Sequence, residues 1–276
     1  MAPRDSIKSM KLYWQVERIL NELRALGFAD GAPLRVEDLL PFDQYHYEGT
    51  ETVDAALAAL AAGPESRLLD VGSGIGGPAR YMAERTGCRV TALELQPDLH
   101  ATAARLTERC GLSGRVEHLC GDVLGGVAAG RGFDGLVSML CFLHIPERVR
   151  LLAACHAALR PGAMIFLDDY YQRAPLSESE RRDLAEQVYC RYVPDLADWE
   201  AQLQGAGFTE IALSDRSAPW SAFIAERLAA FRRDRPRQLA LHGAPLVEGL
   251  DHFYATVARL FAGGRLGGLR VIARRG

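Results

Sequence analysis

The sequence has no apolar run of the roughly 18 residues that a bilayer span needs, and its opening, Met1-Ala2-Pro3-Arg4-Asp5-Ser6, has no apolar stretch of the kind that directs secretion. A cytoplasmic location is therefore the expectation. A charge excess of either sign is missing too: the formal net charge is −3 and the pI about 6.2. Neither a nucleic-acid backbone nor an anionic lipid surface would be attracted, so no nucleic acid and no membrane are expected as partners. The six cysteines, Cys88, Cys110, Cys120, Cys141, Cys155 and Cys190, are scattered with no C-x-x-C pair and no histidine at zinc-ligand spacing. No metal is expected, and the thiols read as reduced, buried small hydrophobes. There is also no internal repeat and no low-complexity tract.

What is present is an alternation of elements. From Ile7 to Leu26 the residues Leu12, Val16, Ile19, Leu20, Leu23 and Leu26 recur at helical spacing before Gly27, which predicts an amphipathic helix. A polar, aromatic stretch from Pro41 to Thr50 and an Ala/Leu-rich helix from Glu51 to Ala62 complete a helical prelude over residues 1–65. Beyond it, short apolar runs alternate with helical patterns, the signature of βαβ units. Strands are expected at Arg67–Val71, Arg89–Leu93, Val116–Leu119, Gly135–Leu140, Ala163–Leu167, Glu210–Leu213 and Leu269–Ala273. The expected fold is α/β: a Rossmann-like, seven-stranded, mostly parallel sheet with helices on both faces, a helical N-terminal extension and a helical substrate cap. The core covers 66–276, and insertions near 172–198 and 216–264 supply the cap at the carboxyl edge, where open α/β sheets bind ligands.

The run Leu68-Leu69-Asp70-Val71-Gly72-Ser73-Gly74-Ile75-Gly76-Gly77-Pro78 joins the first strand to the next helix. Gly72, Gly74 and Gly77 satisfy G-x-G-x-x-G, a spacing shared with dinucleotide sites. Asp70 discriminates. A carboxylate there would repel a pyrophosphate but attract the ammonium of a methionine-derived sulfonium cofactor. Glu94, ending the second strand about 20 residues on, is placed to accept from both ribose hydroxyls. Asp122, after the third strand, is placed to accept from the adenine amine; its plain alternative is a turn acid or helix cap.

These features, with Phe133-Asp134, Leu159-Arg160-Pro161-Gly162 and Leu203 to Gly207-Phe208 before the fourth, fifth and sixth strands, resemble class I S-adenosylmethionine-dependent methyltransferases. Within that class, Gly76-Gly77-Pro78-Ala79-Arg80 and Asp43-Gln44-Tyr45-His46-Tyr47 resemble the small-molecule branch that includes sterol and tocopherol C-methyltransferases and glycine, sarcosine and dimethylglycine N-methyltransferases. The resemblance implies cofactor contacts at Gly72, Ser73, Gly74, Glu94, Leu95, Asp122, Val123 and Met139, joined by Tyr47, Asp70, Gly76 and Gln96. It also implies that the Gln44–Thr50 segment covers the cofactor. The sequence departs from the branch between Asp122 and Phe133, and in the unusually apolar Ser138 to Ile145.

Methyl transfer from a sulfonium disperses charge, so positioning and exclusion of water supply much of the rate. A titratable group is sought at the fourth and fifth strand ends. His144 is the leading catalytic candidate and His46 the second; each has a packing role as its alternative. Strand parity sets Asp168 and Asp169 on opposite sides. Tyr170, Tyr171 and Trp220, with Phe223, are candidates for an aromatic substrate wall, and the basic run 231–237 reads as solvated surface. The expected activity is methyl transfer to nitrogen or oxygen of a small metabolite. The alternatives are carbon methylation, an NAD-dependent oxidoreductase and a non-catalytic cofactor-binding protein. A homodimer is the candidate assembly.

Overall fold

The computed structural model describes residues 16–276, so the Ile7–Gln15 part of the first expected helix, with Leu12, lies outside the described residues. Three helices, α1 (Glu17–Ala25), α2 (Val36–Asp43) and α3 (Gly49–Ala59), precede the sheet. α2 takes in the first three residues, Pro41 to Asp43, of the stretch read as polar and aromatic. It tolerates Pro41 in its last turns, and at its start the Asp38 carboxylate accepts from the Arg35 amide at 2.8 Å.

The sheet alternates with helices as β1 (Arg67–Val71), α4 (Gly77–Thr86), β2 (Arg89–Glu94), α5 (Pro97–Arg109), β3 (Val116–Cys120), β4 (Phe133–Met139), α6 (Arg148–Ala158) and β5 (Leu159–Gln172). α7 (Glu178–Gln187) and α8 (Leu196–Gly205) lead to β6 (Phe208–Asp215). Then α9 (Ser217–Arg233), α10 (Arg235–His242) and α11 (Ala244–Ala262) lead to β7 (Leu266–Arg275). The strand order is β3-β2-β1-β4-β5-β7-β6, and β7 runs antiparallel to both neighbours. The order reverses direction at β1 and β4, so a crevice opens beyond their carboxyl ends.

Period-two alternation divides the core. Leu68, Val90 and Val137 face α3 and α4, packing with Val53, Ala79 and Met82. Leu69, Leu136 and Ile165 face α6 and α8, packing with Leu151, Leu152 and Trp199. Helices therefore cover both faces, which is why these strands read as continuous apolar runs.

β5 is longer than its apolar pattern, extending through Asp168-Asp169-Tyr170-Tyr171-Gln172. Both carboxylates are buried but partnered. Asp168 accepts from Arg270 of β7 at 2.8 and 2.7 Å, and Asp169 accepts from the Leu143 amide at 2.9 Å. In β7, a Cβ at Gly268 would lie 2.1 Å from the Trp220 ring. The missing side chain is what lets α9 rest on the sheet.

All six cysteines are free thiols. Cys88, Cys155 and Cys190 are buried as expected, but Cys120 is exposed, because it ends β3 at the sheet edge. The basic run lies on the α9–α10 surface, where Arg232 pairs with Asp251 and Arg237 with Glu22. Among the described residues, no helix is long and apolar enough to cross a membrane.

Candidate active site

Two clefts meet beyond the carboxyl ends of β1 and β4, sharing Gly72, Gly74, Leu140 and His144. The first, about 910 Å³, is lined by the ends of β2 and β3 and includes Glu94, Leu95, Gln96, Asp122 and Val123. Glu94 is buried. Its carboxylate accepts from the Gly74 amide at 2.9 Å and from the Gln96 amide at 2.8 Å, tying the glycine loop to the end of β2. Burial raises its pKa, against the lowering by these amides. Gln96 is also buried, and its Oε1 has no hydrogen-bond partner. Leu95 is 50% exposed and forms an outer lip. Asp122 accepts from the Leu124 amide at 2.8 Å, so it caps a short turn and also lines the cleft.

The second cleft, about 870 Å³, begins at Asp70, Gly72, Ser73 and Gly74. Gly72 adopts φ 78°, and a Cβ there would lie 2.2 Å from the Cys141 sulfur, so this crossing requires glycine. Asp70 is 3% exposed, and its Oδ2 and the Ser73 hydroxyl have no hydrogen-bond partner. Burial, then the Glu94 carboxylate, pushes the Asp70 pKa up to about 7. A buried, under-partnered carboxylate beside a glycine loop fits a ligand ammonium and disfavours a pyrophosphate. Gly76 turns away from both clefts: a Cβ there would meet His118 and Arg80.

The cover of this second cleft comes from Tyr45, His46 and Tyr47. The segment is held in place from below, where Asp43 and Arg80 form a fully buried ion pair at 2.9 Å. Gly77 leaves room for that approach, since a Cβ would lie 2.3 Å from the Asp43 carbonyl. The two motifs that were separate in sequence are therefore one contact. From above, Arg216 donates to Glu48 at 2.7 Å, Trp220 Nε1 donates to Glu48 at 3.0 Å, and Arg227 donates to the Tyr45 and His46 carbonyls at 3.2 and 2.7 Å.

His46 is buried and bonds through Nε2 to the Gly49 carbonyl at 2.9 Å; burial pushes its pKa down to about 4. His144 sits at the boundary of the clefts, with Nδ1 3.3 Å from the Tyr189 carbonyl. Its pKa is also about 4, again through burial first. Both rings are neutral at pH 7. Leu140, at φ 54°, turns the chain out of β4 so that 142–144 close against Asp169. Met139 lines the second cleft.

The tyrosine pair divides. Tyr170 lines the cleft, and its hydroxyl lies 2.5 Å from that of Tyr47. Tyr171 points to the opposite face, into the core that includes Leu167 and Trp199, as strand alternation requires. Trp220 lines neither cleft and instead backs Tyr47, ring centroids 5.0 Å apart. Sequence reasoning missed Arg227 and the α11 residues Phe253, Tyr254 and Val257, all of which line the second cleft. The α11 apolar stripe was a visible signal for a packed helix but carried none for this wall.

Residues 68–162 match the family model described as a methyltransferase domain. Among curated relatives, phosphoethanolamine N-methyltransferase 1 of Arabidopsis thaliana is 26% identical over 81% of this chain and 46% of its own length. Sarcosine/dimethylglycine N-methyltransferase of Halorhodospira halochloris is 29% identical over 56% of each. The chain thus spans about half the length of these relatives. A solved structure, Haemonchus contortus phosphoethanolamine N-methyltransferase 2 with phosphomonomethylethanolamine and S-adenosylhomocysteine, superposes with a TM-score of 0.78 at 22% identity, covering 84% of this chain and 54% of that one. Sheet order, glycine loop and domain match agree: residues 68–162 resemble a methyltransferase domain, and the chain has the Rossmann-like fold of the solved methyltransferases it superposes on.

Proposed function

We propose that the chain is an S-adenosylmethionine-dependent methyltransferase acting on a lone pair of a small molecule, nitrogen first and oxygen second. The observation that carries this reading is Asp70, a buried carboxylate with one oxygen lacking a partner, set beside a glycine loop and one cleft away from Glu94. Nitrogen comes first because the named relatives are N-methyltransferases.

The residues present fit the cofactor. Asp70, with Ser73 and the loop glycines, would hold its amino-acid end; Glu94 and Gln96 would take the ribose hydroxyls; Asp122, Val123 and Leu95 would take the adenine. When bound, the cofactor supplies an electrophilic methyl carbon on a positively charged sulfur. The chain's own contribution is placement. Leu140 and His144 stand where the clefts join, and Tyr45, His46 and Tyr47 shut that junction from water. Neutral His144 orients the acceptor's N–H or O–H and exerts no charge repulsion on the sulfonium.

Calorimetric titration with S-adenosylmethionine, S-adenosylhomocysteine and NAD tests the reading. Binding of the first two without NAD is expected. NAD binding with no response to either sulfur compound would overturn it.

A further inference from the structure

The second cleft is polar on the glycine-loop side and apolar on the other. Ile224 from α9, Phe253 and Val257 from α11, and Leu143 and Val188 make that far wall. The residues from 16 onward contain no lysine. Among the described residues, Arg227 is the one arginine lining this cleft, and its guanidinium is already engaged. It donates to two backbone carbonyls and lies over the Phe223 and Tyr47 rings, 4.7 and 5.6 Å from their centroids. His46 and His144 add no positive charge near neutral pH. Of the two carboxylates, Asp43 is spent on Arg80, and Asp70 is the residue that would hold the cofactor's ammonium.

A phosphate or carboxylate entering this space would lose its water and find no uncommitted cation among the described residues lining it. Such burial is strongly unfavourable. To serve it, Arg227 would have to release the covering segment. An uncharged ring or branched aliphatic body instead meets side chains of its own kind.

We propose, resting on the methyl-transfer reading, that this cleft takes a compact, predominantly apolar acceptor lacking phosphate and carboxylate, whose reacting amine or hydroxyl is uncharged, and that Ile224, Phe253 and Val257 select it. The acceptor's lone pair forms the new bond to the methyl carbon as the carbon–sulfur bond breaks. The electron pair of that bond goes to sulfur, the positive charge passes to the acceptor atom, and the proton that atom carried passes to water as the methylated product is released. The acceptor class therefore differs from the phosphorylated and zwitterionic compounds named for the relatives.

The test is calorimetric titration of the full chain saturated with S-adenosylhomocysteine, using four probes: N-methylaniline, 2-naphthol, phosphoethanolamine and sarcosine. The neutral aromatic probes are expected to bind at least about tenfold more tightly than either charged one. Ile224→Gln is expected to weaken them by about tenfold while leaving S-adenosylhomocysteine affinity within about twofold, and Ile224→Leu to restore them. Tighter binding of phosphoethanolamine or sarcosine, or binding of none of the four to the loaded protein, overturns this inference alone. Failure to bind S-adenosylhomocysteine overturns the methyl-transfer reading, and this inference with it.

Discussion

The two clefts share four residues but are assembled by opposite means. The Glu94 cleft is drawn entirely from residues 71–147, mostly loops that leave successive parallel strands. Its polar side chains are fixed by nearby amides: Glu94 by Gly74 and Gln96, Asp122 by Leu124. The Tyr47 cleft gathers residues from 43 to 257, and its cover is held by side chains more than a hundred positions away. The difference teaches that local backbone geometry builds the first, whereas tertiary packing of the cap builds the second. Perturbing one should leave the other measurably intact.

His144 belongs to both clefts, so it is the sharpest place to break the comparison. His144→Ala is expected to lower turnover with an identified acceptor by about 10²–10⁴-fold, with cofactor affinity unchanged by titration. Unchanged turnover would return His144 to a packing role. Next in size, Asp70→Asn should weaken S-adenosylhomocysteine binding by about 100-fold, the loss of one charge-assisted contact. The same change should stabilise the unliganded protein. Because the folded pKa of Asp70 is raised, its ionised form costs stability above the unfolded value, increasingly up to about pH 7. Scanning calorimetry at pH 8 should show a higher Tm, by roughly 2–4 °C for each kcal/mol relieved. A lower Tm would contradict the placement of a strained charge at the end of β1.

Two smaller effects separate the halves further. Arg227→Leu should raise the acceptor KM by about tenfold through loss of two hydrogen bonds to the cover, with little change in cofactor Kd. An equal loss on both sides would mean that the cover serves the cofactor cleft instead. Finally, cofactor affinity should fall as pH drops below about 7, by up to about tenfold per pH unit, because protonated Asp70 cannot pair with an ammonium. That slope should vanish in Asp70→Asn.

The same contrast explains what could be read from residues alone. β1 and β2 begin where their apolar runs begin, since strands covered on both faces need little polar punctuation inside them. The glycine loop with Asp70, Glu94 and Asp122 was legible because each acid stands within two residues of a strand's carboxyl end. The far half of β5 was not. Asp168 and Asp169 look like a strand exit until Arg270 and the Leu143 amide, both distant in sequence, are known to cover them. α2 was hidden by Pro41 and its polar end, whose burial depends on Arg80. Parity separates Asp168 from Asp169 in the sequence reading but was not carried to the two tyrosines that follow, both expected in the substrate wall; the same alternation sends Tyr171 to the opposite face from Tyr170. Nothing in the α11 stripe shows that it meets Tyr47 and Ile224 rather than the sheet alone, and no local signal marks Leu140 as left-handed.

The triple attachment of α9 to the covering segment has a mechanical consequence. Arg216, at the cap of α9, and Trp220 and Arg227 within it grip Glu48, Tyr45 and His46. Ile224, between those anchors, shapes the acceptor wall. A single rigid rod therefore both measures the acceptor and latches the door behind it. An ill-fitting molecule that displaces α9 loosens the latch, so poor fit and leakage of water arrive together.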